Sequence, residues 1–259
     1  MSAQFLSLSN IQFSAGKKHI LHGIDLSLEG GHVYGLVGQN GSGKSTLLKI
    51  IARQVEPTSG TITLQGRAVA DWGGRAFARE IAYMPQFTPA TDGMTVRELV
   101  ALGRFPWHGT LGRFTQKDRD LVDDAINRTD LVKFSDSLVA NMSGGERQRA
   151  WIAMMLAQNA SCLLLDEPTS ALDLAHQAGV LSLLRELSHE RGLTIVVVLH
   201  DINLAARYCD EIVALNDGRI SARGTPADIV QSDVLKSVFG VEMGVFPHPV
   251  SHEPVSYLV

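Results

Sequence analysis

The segment Gly38-Gln-Asn-Gly-Ser-Gly-Lys-Ser45 puts Gly38 and Gly43 ahead of a lysine and a serine at a spacing suited to holding phosphate. Glycines let the backbone curl until successive N–H groups point at phosphate oxygens, and a helix after the loop adds its positive end. In that frame Gly38, Asn40, Gly41, Ser42, Gly43 and Thr46 line the loop, Lys44 reaches the outer phosphates and the Ser45 hydroxyl ligates Mg²⁺. The local alternative is a glycine-rich turn between a strand and a helix. A second group follows the apolar run Cys162-Leu-Leu-Leu165, which delivers Asp166 and Glu167 to a strand's carboxyl end. Asp166 suits Mg²⁺, directly or through water, because this cation takes oxygen ligands and keeps several waters. Glu167 is placed to polarise an attacking water as a general base. An isolated Asp-Glu pair is ordinary solvated surface; after a buried strand, beside a phosphate loop, it reads as catalytic. The apolar run Leu193–Leu199 leads into His200, which is thereby placed at the same sheet edge to hold that water against the terminal phosphate. The other histidines, such as His22 and His189, are read as structural.

A fourth group, Ser143-Gly-Gly-Glu146, opens a long helical run to Gln158. Serine with glutamate three residues on is a capping box, so a well-started helix is its local explanation. Two glycines inside a first turn weaken a helix, however. They suit a helix end whose N–H groups must approach an anion closely. One loop already covers one side of a nucleotide, so this second anion-binding end implies a second copy closing over it.

The elements that carry these groups alternate in character. Phe5–Phe13, Ile20–Leu28, Val33–Val37 and Thr61–Leu64 read as strands and Ser45–Ala52 as a helix. From Arg75 to about Asn159 helical patterns dominate. The continuous apolar runs Cys162–Leu165 and Leu193–Leu199 have the character of parallel strands covered on both faces, joined by a crossover helix over Leu172–Arg191. Ile212–Leu215 and Ile220–Ala222 flank the turn Asn216-Asp-Gly218 as a hairpin. Thr225-Pro-Ala-Asp228 opens a helix, and the stretch with Pro247, Pro249 and Pro254 is expected to be irregular.

Bulk composition removes several classes. A chain of 259 residues that is 45% hydrophobic and 19% charged is neither disordered nor built of membrane spans. Its start has no basic, apolar leader, so an intracellular protein is expected. A formal charge of −4 with no basic footprint argues against nucleic acid as a partner. Cys162 and Cys209 sit among apolar neighbours and are expected to be buried thiols.

Taken together, these residues resemble the ATP-binding cassette family from about Phe5 to Pro226: the phosphate loop, Tyr83-Met-Pro-Gln86, Met142-Ser-Gly-Gly-Glu-Arg147, Leu164-Leu-Asp-Glu-Pro168, Ser170-Ala-Leu-Asp173 and His200, in that order. The resemblance implies an α/β fold: a phosphate-loop NTPase core with a mostly parallel sheet, an N-terminal antiparallel β subdomain and an inserted α-helical subdomain. It implies a single domain over 1–259, with 1–86 and 160–240 forming the core and antiparallel part, about 87–159 the helical part, and 241–259 a C-terminal extension. It further implies ATP and Mg²⁺ as cofactors and a head-to-tail dimer. Each ATP would lie between one copy's phosphate loop and the partner copy's Ser143, Gly144, Gly145 and Glu146, with Asp173 crossing the interface. Phe13 would stack on adenine and Gln86 would bind Mg²⁺. Glutamate at 146, where the family favours glutamine, puts negative charge near a phosphate.

Gly93-Met-Thr-Val-Arg-Glu-Leu-Val100, Gly103-Arg-Phe-Pro-Trp-His-Gly109, Leu199-His-Asp-Ile-Asn203 and Ala206-Arg-Tyr-Cys-Asp210 are similar to ATPase subunits of iron-siderophore, haem and vitamin B12 importers. Leu111-Gly-Arg-Phe114 and Glu146–Ala153 bring the chain nearest to the bacterial ferric-hydroxamate ATPases. That likeness implies a polytopic permease as partner, a periplasmic or lipid-anchored siderophore-binding protein acting indirectly, and a place on the cytoplasmic face of the bacterial inner membrane. It places Phe105-Pro-Trp-His108 near the permease, ordinary packing being the alternative. A soluble cassette ATPase of DNA repair or translation would carry two cassettes or a long coiled coil. A phosphate-loop kinase would leave Ser143-Gly-Gly unexplained.

Overall fold

The computed structural model describes residues 4–91, 93–109, 112–170, 172–250 and 252–259. Leu111 and Ala171, which belong to two of the segments above, lie outside the described residues, as do Met1 to Ala3 at the N-terminus. In chain order the elements begin with β1 (Gln4–Ala15), β2 (Lys18–Glu29), β3 (Val33–Gly38), α1 (Lys44–Ile51), β4 (Ser59–Leu64) and β5 (Arg67–Ala68). Next come α2 (Gly74–Glu80), β6 (Ile81–Met84), α3 (Val96–Leu102), α4 (Phe105–His108), α5 (Gln116–Arg128), α6 (Gly144–Gln158), β7 (Cys162–Leu165) and α7 (Leu174–Arg191). The chain ends with β8 (Thr194–Val198), α8 (Ile202–Tyr208), β9 (Glu211–Asn216), β10 (Arg219–Gly224), α9 (Pro226–Ile229), α10 (Ser232–Phe239), β11 (Met243–Pro247) and β12 (Pro254–Leu258). Two compact units divide it, Met1–Trp72 with Leu184–Val259, and Gly73–Leu183.

In the first unit β1 pairs antiparallel with β2 and β4, and β5 extends that sheet. The apolar positions of β1 change from even, Leu6 and Leu8, to odd, Ile11, yet all three are buried. A bulge explains this: the register shifts between Leu8 and Ile11, and Asn10 adopts a φ of 49°. Separately, β3 pairs in parallel with both β8 and β9, and β10 returns antiparallel along β9. Every residue of β3 and β8 is buried, as expected of strands covered on both faces. Asp217 and Gly218, with φ of 43° and 68°, make the tight turn that the Asn-Asp-Gly sequence forecast. Cys162 and Cys209 are both free and buried.

The expectation for the C-terminal stretch is corrected. β11 and β12 form an antiparallel hairpin in which Pro247 stands opposite Pro254. Proline is disfavoured where a strand needs its N–H, but here both prolines occupy the end of the ladder next to the loop, where no inner bond is lost.

In the second unit β6 and β7 run parallel, in register from Ile81↔Cys162 to Met84↔Leu165. Helices α3, α5 and α6 bury Leu99 and Val100, Val122 and Ile126, and Ile152 and Ala153. Gly103 lets the end of α3 approach α6 closely, since a Cβ there would lie 2.1 Å from the Met154 carbonyl. Arg104, only 4% exposed, donates to Asp118 Oδ1 at 2.9 Å and to the Ala157 carbonyl at 2.8 Å. It thereby satisfies a carbonyl at the end of α6. Burial pushes the Asp118 carboxyl up, but hydrogen bonds from Thr115, Arg104 and His108 outweigh it and hold the carboxyl well below the usual range.

Candidate functional site

In the first unit the phosphate loop leaves the buried strand β3 at Gly38. Gly38 has a φ of 140°, and a Cβ there would sit 2.0 Å from the Leu215 carbonyl, so no side chain fits. Gly43 combines a φ of 102° with a Cβ position 2.6 Å from a Leu21 methyl. The loop is clamped from outside: Gly218 donates to the Ser42 carbonyl at 3.1 Å, and His22 donates to the Gly218 carbonyl at 2.9 Å. The β9–β10 turn thus ties the loop to β2. Phe13 pairs with Leu21 in the β1–β2 ladder, which places it one strand from the residue that packs on Gly43.

The chemistry of this loop is set by what is left open. α1 starts from Gly43 with no capping side chain and no acidic residue in its first turn. Its first N–H groups therefore have no acceptor within the helix, and no acid in its own first turn offsets its positive end. The Ser42 hydroxyl is buried without a hydrogen-bond partner, the condition of a group shaped for a ligand oxygen. Lys44, 5% exposed, folds back over the loop and donates to the carbonyls of Gly38 and Gln39, both at 2.9 Å. A cradle of N–H groups with an ammonium at its rim fits a polyphosphate. Ser45 and Thr46 occupy the first turn of α1 and are half-buried, whereas Asn40 and Gly41 are exposed at the loop tip.

His200 lies at the same edge as this loop. β3 and β8 pair in parallel with Leu36 opposite Val198, and Leu199 donates to the Leu36 carbonyl at 3.1 Å. The next residue, His200, is exposed, and Asp201 then caps α8 by accepting from Asn203 and Leu204.

In the second unit the end of β7 carries the acidic pair. The Asp166 N–H donates to the Met84 carbonyl at 3.0 Å, which continues the β6–β7 ladder and leaves Asp166 1% exposed. Glu167 then takes a φ of 53°, a left-handed conformation uncommon for such a residue. This reversal turns its carboxylate to Gln86, whose amide donates to Glu167 Oε2 at 2.6 Å. The structure thus brings together two residues predicted separately, one from spacing and one from resemblance. The Tyr83 hydroxyl, three residues before Gln86, is pushed up to about 12 by burial and by the negative charge of Asp166.

Ser143 caps α6 as forecast. Its hydroxyl accepts from the Glu146 N–H and donates to Glu146 Oε2 at 2.7 Å, while its own N–H donates to that same oxygen at 2.9 Å. These bonds from the Ser143 side chain and backbone hold the Glu146 carboxyl below the usual range. Glu146 is therefore engaged in its own helix start. Gly144 is exposed, but Gly145 is buried. A Cβ at Gly145 would lie 2.6 Å from Cδ2 of His176, so that glycine has a packing reason the sequence did not reveal. Asp173 Oδ1 accepts from the His176 N–H at 2.9 Å and faces its Nδ1 at 2.8 Å. Bonds from the His176 backbone and then its ring hold the Asp173 carboxyl below the usual range. In sequence His176 is one of the histidines without a marked role, and no spacing rule singles it out.

Known proteins are similar to this chain in sequence and fold. The model of the ABC transporter family matches residues 21–170. The achromobactin transport ATP-binding protein CbrD of Dickeya dadantii (strain 3937) is 44% identical over 236 residues, covering 91% of this chain and 88% of its own. The iron(3+)-hydroxamate import ATP-binding protein FhuC of Bacillus subtilis (strain 168) is 38% identical over 250 residues, covering 96% and 93%. Among solved structures, an inward-facing metal-chelate type ABC transporter superposes with a TM-score of 0.85 at 28% identity, covering 99% of this chain and 97% of that one. A dimeric post-hydrolysis ATP-binding cassette bound to ADP and Pi superposes with a TM-score of 0.74 at 28% identity, covering 85% and 98%.

Proposed function

The chain belongs to the ABC transporter family, and from that premise we propose that it hydrolyses ATP to energise import of an iron chelate, with iron(III)-hydroxamate siderophore as the cargo. The fold supports ATP binding, and the names of relatives similar over nearly the whole chain support the cargo class; another siderophore, haem or vitamin B12 is the alternative. The observation that carries hydrolysis, rather than binding alone, is the hydrogen bond from Gln86 to Glu167. It holds a carboxylate at the end of a buried strand in one orientation, as a general base requires.

Lys44 and the N–H groups from Gly41 to Thr46 hold the phosphates. The Ser45 hydroxyl, the Gln86 side chain and Asp166 are oxygen donors of the kind Mg²⁺ takes, and the bound cation would offset charge on the outer phosphates. Glu167 takes a proton from the attacking water, and His200 orients that water. Phe13 stacks on adenine; its place beside Leu21 supports this. Ser143, Gly144 and Asp173 face the nucleotide of a second copy, with Gly145 packed under His176 behind them and Glu146 completing the helix start. Among the described residues no helix is long and apolar enough to cross a membrane; the names of the import relatives support a polytopic permease as the partner that carries the transport path. The permease is served by a siderophore-binding protein outside, with this chain on the cytoplasmic face of the bacterial inner membrane. Phe87, Leu102 and Phe105, apolar yet 83%, 48% and 54% exposed, are its candidate permease contacts.

Glu167→Gln tests the assignment: turnover should fall about a thousandfold, within the range of general-base catalysis, while ATP binding persists. Phosphate release measured with water as the sole acceptor reads this directly. Undiminished turnover in the variant would remove Glu167 as the base, and a requirement for an acceptor molecule would turn the reading toward a kinase.

A further inference from the structure

The start of α6 and the loop carrying Asp173 meet at one side chain, the imidazole of His176. Asp173 Oδ1 accepts from the His176 N–H at 2.9 Å and lies 2.8 Å from its Nδ1. An ionised carboxylate only accepts, so Nδ1 must carry a proton toward it. That bond fixes the ring's orientation and presents its other edge, Cδ2 and Nε2, to α6. There the ring occupies the place a side chain would take at Gly145: Cδ2 lies 2.6 Å and Nε2 3.1 Å from the position of a Cβ. Any other residue at 145 would drive the ring away. Hydrogen bond and close packing together make the Asp173 loop and the first turn of α6 one mechanical piece.

We propose that His176 is a positioning residue that locks Asp173 to the phosphate-facing end of α6, so that both meet the second copy's nucleotide together. This rests on the reading that Ser143-Gly-Gly and Asp173 act on a nucleotide held by another copy. On that reading the exposed N–H of Gly144 and the carboxylate of Asp173 would otherwise be ordered one at a time during closure. The histidine orders them beforehand and so lowers the entropic cost of association. Its role is confined to closure, because the phosphate loop draws no residue from this piece.

The test uses the full chain in a Glu167→Gln background, where bound ATP persists. Dimer formation is followed by size-exclusion chromatography against ATP concentration, and monomer binding by a fluorescent ATP analogue. Adding His176→Ala should raise the ATP concentration for half-maximal dimer about tenfold, the cost of losing one charge-assisted hydrogen bond, with monomer affinity unchanged. His176→Asn, whose amide nitrogen can stand in for Nδ1 at Asp173, should recover part of the loss and guards against a folding defect in the alanine variant. An unshifted dimer midpoint in both variants would overturn the role of His176. Failure of Glu167→Gln itself to dimerise with ATP would instead overturn the in-trans reading and this proposal with it.

Discussion

Two helices of this chain begin at glycine-containing segments that resemble anion sites, and they start in opposite ways. α1 begins bare: Gly43 has no side chain to cap it, no acid sits in its first turn and a serine hydroxyl beside it is buried without a partner. α6 begins closed, because Ser143 and Glu146 satisfy one another in a reciprocal cap and His176 fills the space over Gly145. A helix end with open donors gains most from an external anion, whereas a self-capped end gains less. On the proposed function the first would hold the nucleotide and the second would complete a site already charged with one, the division of labour a sandwich of two copies needs.

The largest effect that sharpens this contrast is expected at the bare end. Lys44→Ala should weaken ATP binding about a hundredfold, since two charge-assisted bonds are at stake, while leaving the Ser143 cap untouched. Isothermal titration of the monomer measures it, and retained affinity would mean that the loop is not the primary phosphate site. Next come the glycines. Gly43→Ala must adopt a left-handed φ against the Leu21 methyl and should cost about 2 kcal/mol of stability. Gly144→Ala, at the first residue of α6, should be neutral or stabilising by up to about 1 kcal/mol. Equal losses in chemical denaturation would erase the distinction between the two helix starts.

The smallest effect concerns pH at the closed end. The Glu146 carboxyl is held below its unfolded value by Ser143. Its contribution is therefore complete above about pH 4.3, the ordinary glutamate value, and is lost as pH falls through the lower folded value. Glutamine can also serve in such a cap and does not titrate. Glu146→Gln should thus match the wild type near neutrality and gain on it at acid pH, read as the difference in thermal midpoint between pH 7 and pH 3. A constant difference would show that Glu146 carries no linked protonation in the cap.

Much of the site was legible because its chemistry is local in sequence. The phosphate loop, the cap at Ser143 and the acid pair after Cys162–Leu165 each need neighbouring residues of fixed type, and each was found where its pattern put it. What the pattern missed depends on contacts distant along the chain. The Gln86–Glu167 bond joins separate strand ends and needs a left-handed Glu167, which no propensity announces. The packing of His176 on Gly145 is of the same kind; the glycine was read as leaving room for a ligand, and a side chain fills that room. At the C-terminus three prolines suggested irregular chain. Strand ends tolerate proline, however, and pairing of Pro247 with Pro254 at one end of the hairpin escaped a rule based on composition.

The central claim, ATP hydrolysis that drives iron-chelate import, is tested most directly by purifying the tagged chain from membranes and measuring its turnover. Phosphate release would be compared with and without a binding protein loaded with ferric hydroxamate. The account predicts co-purification of a polytopic permease and turnover stimulated by the loaded binding protein, with stimulation abolished by Glu167→Gln. A chain that hydrolyses ATP with no membrane partner and no response to any iron chelate would contradict it.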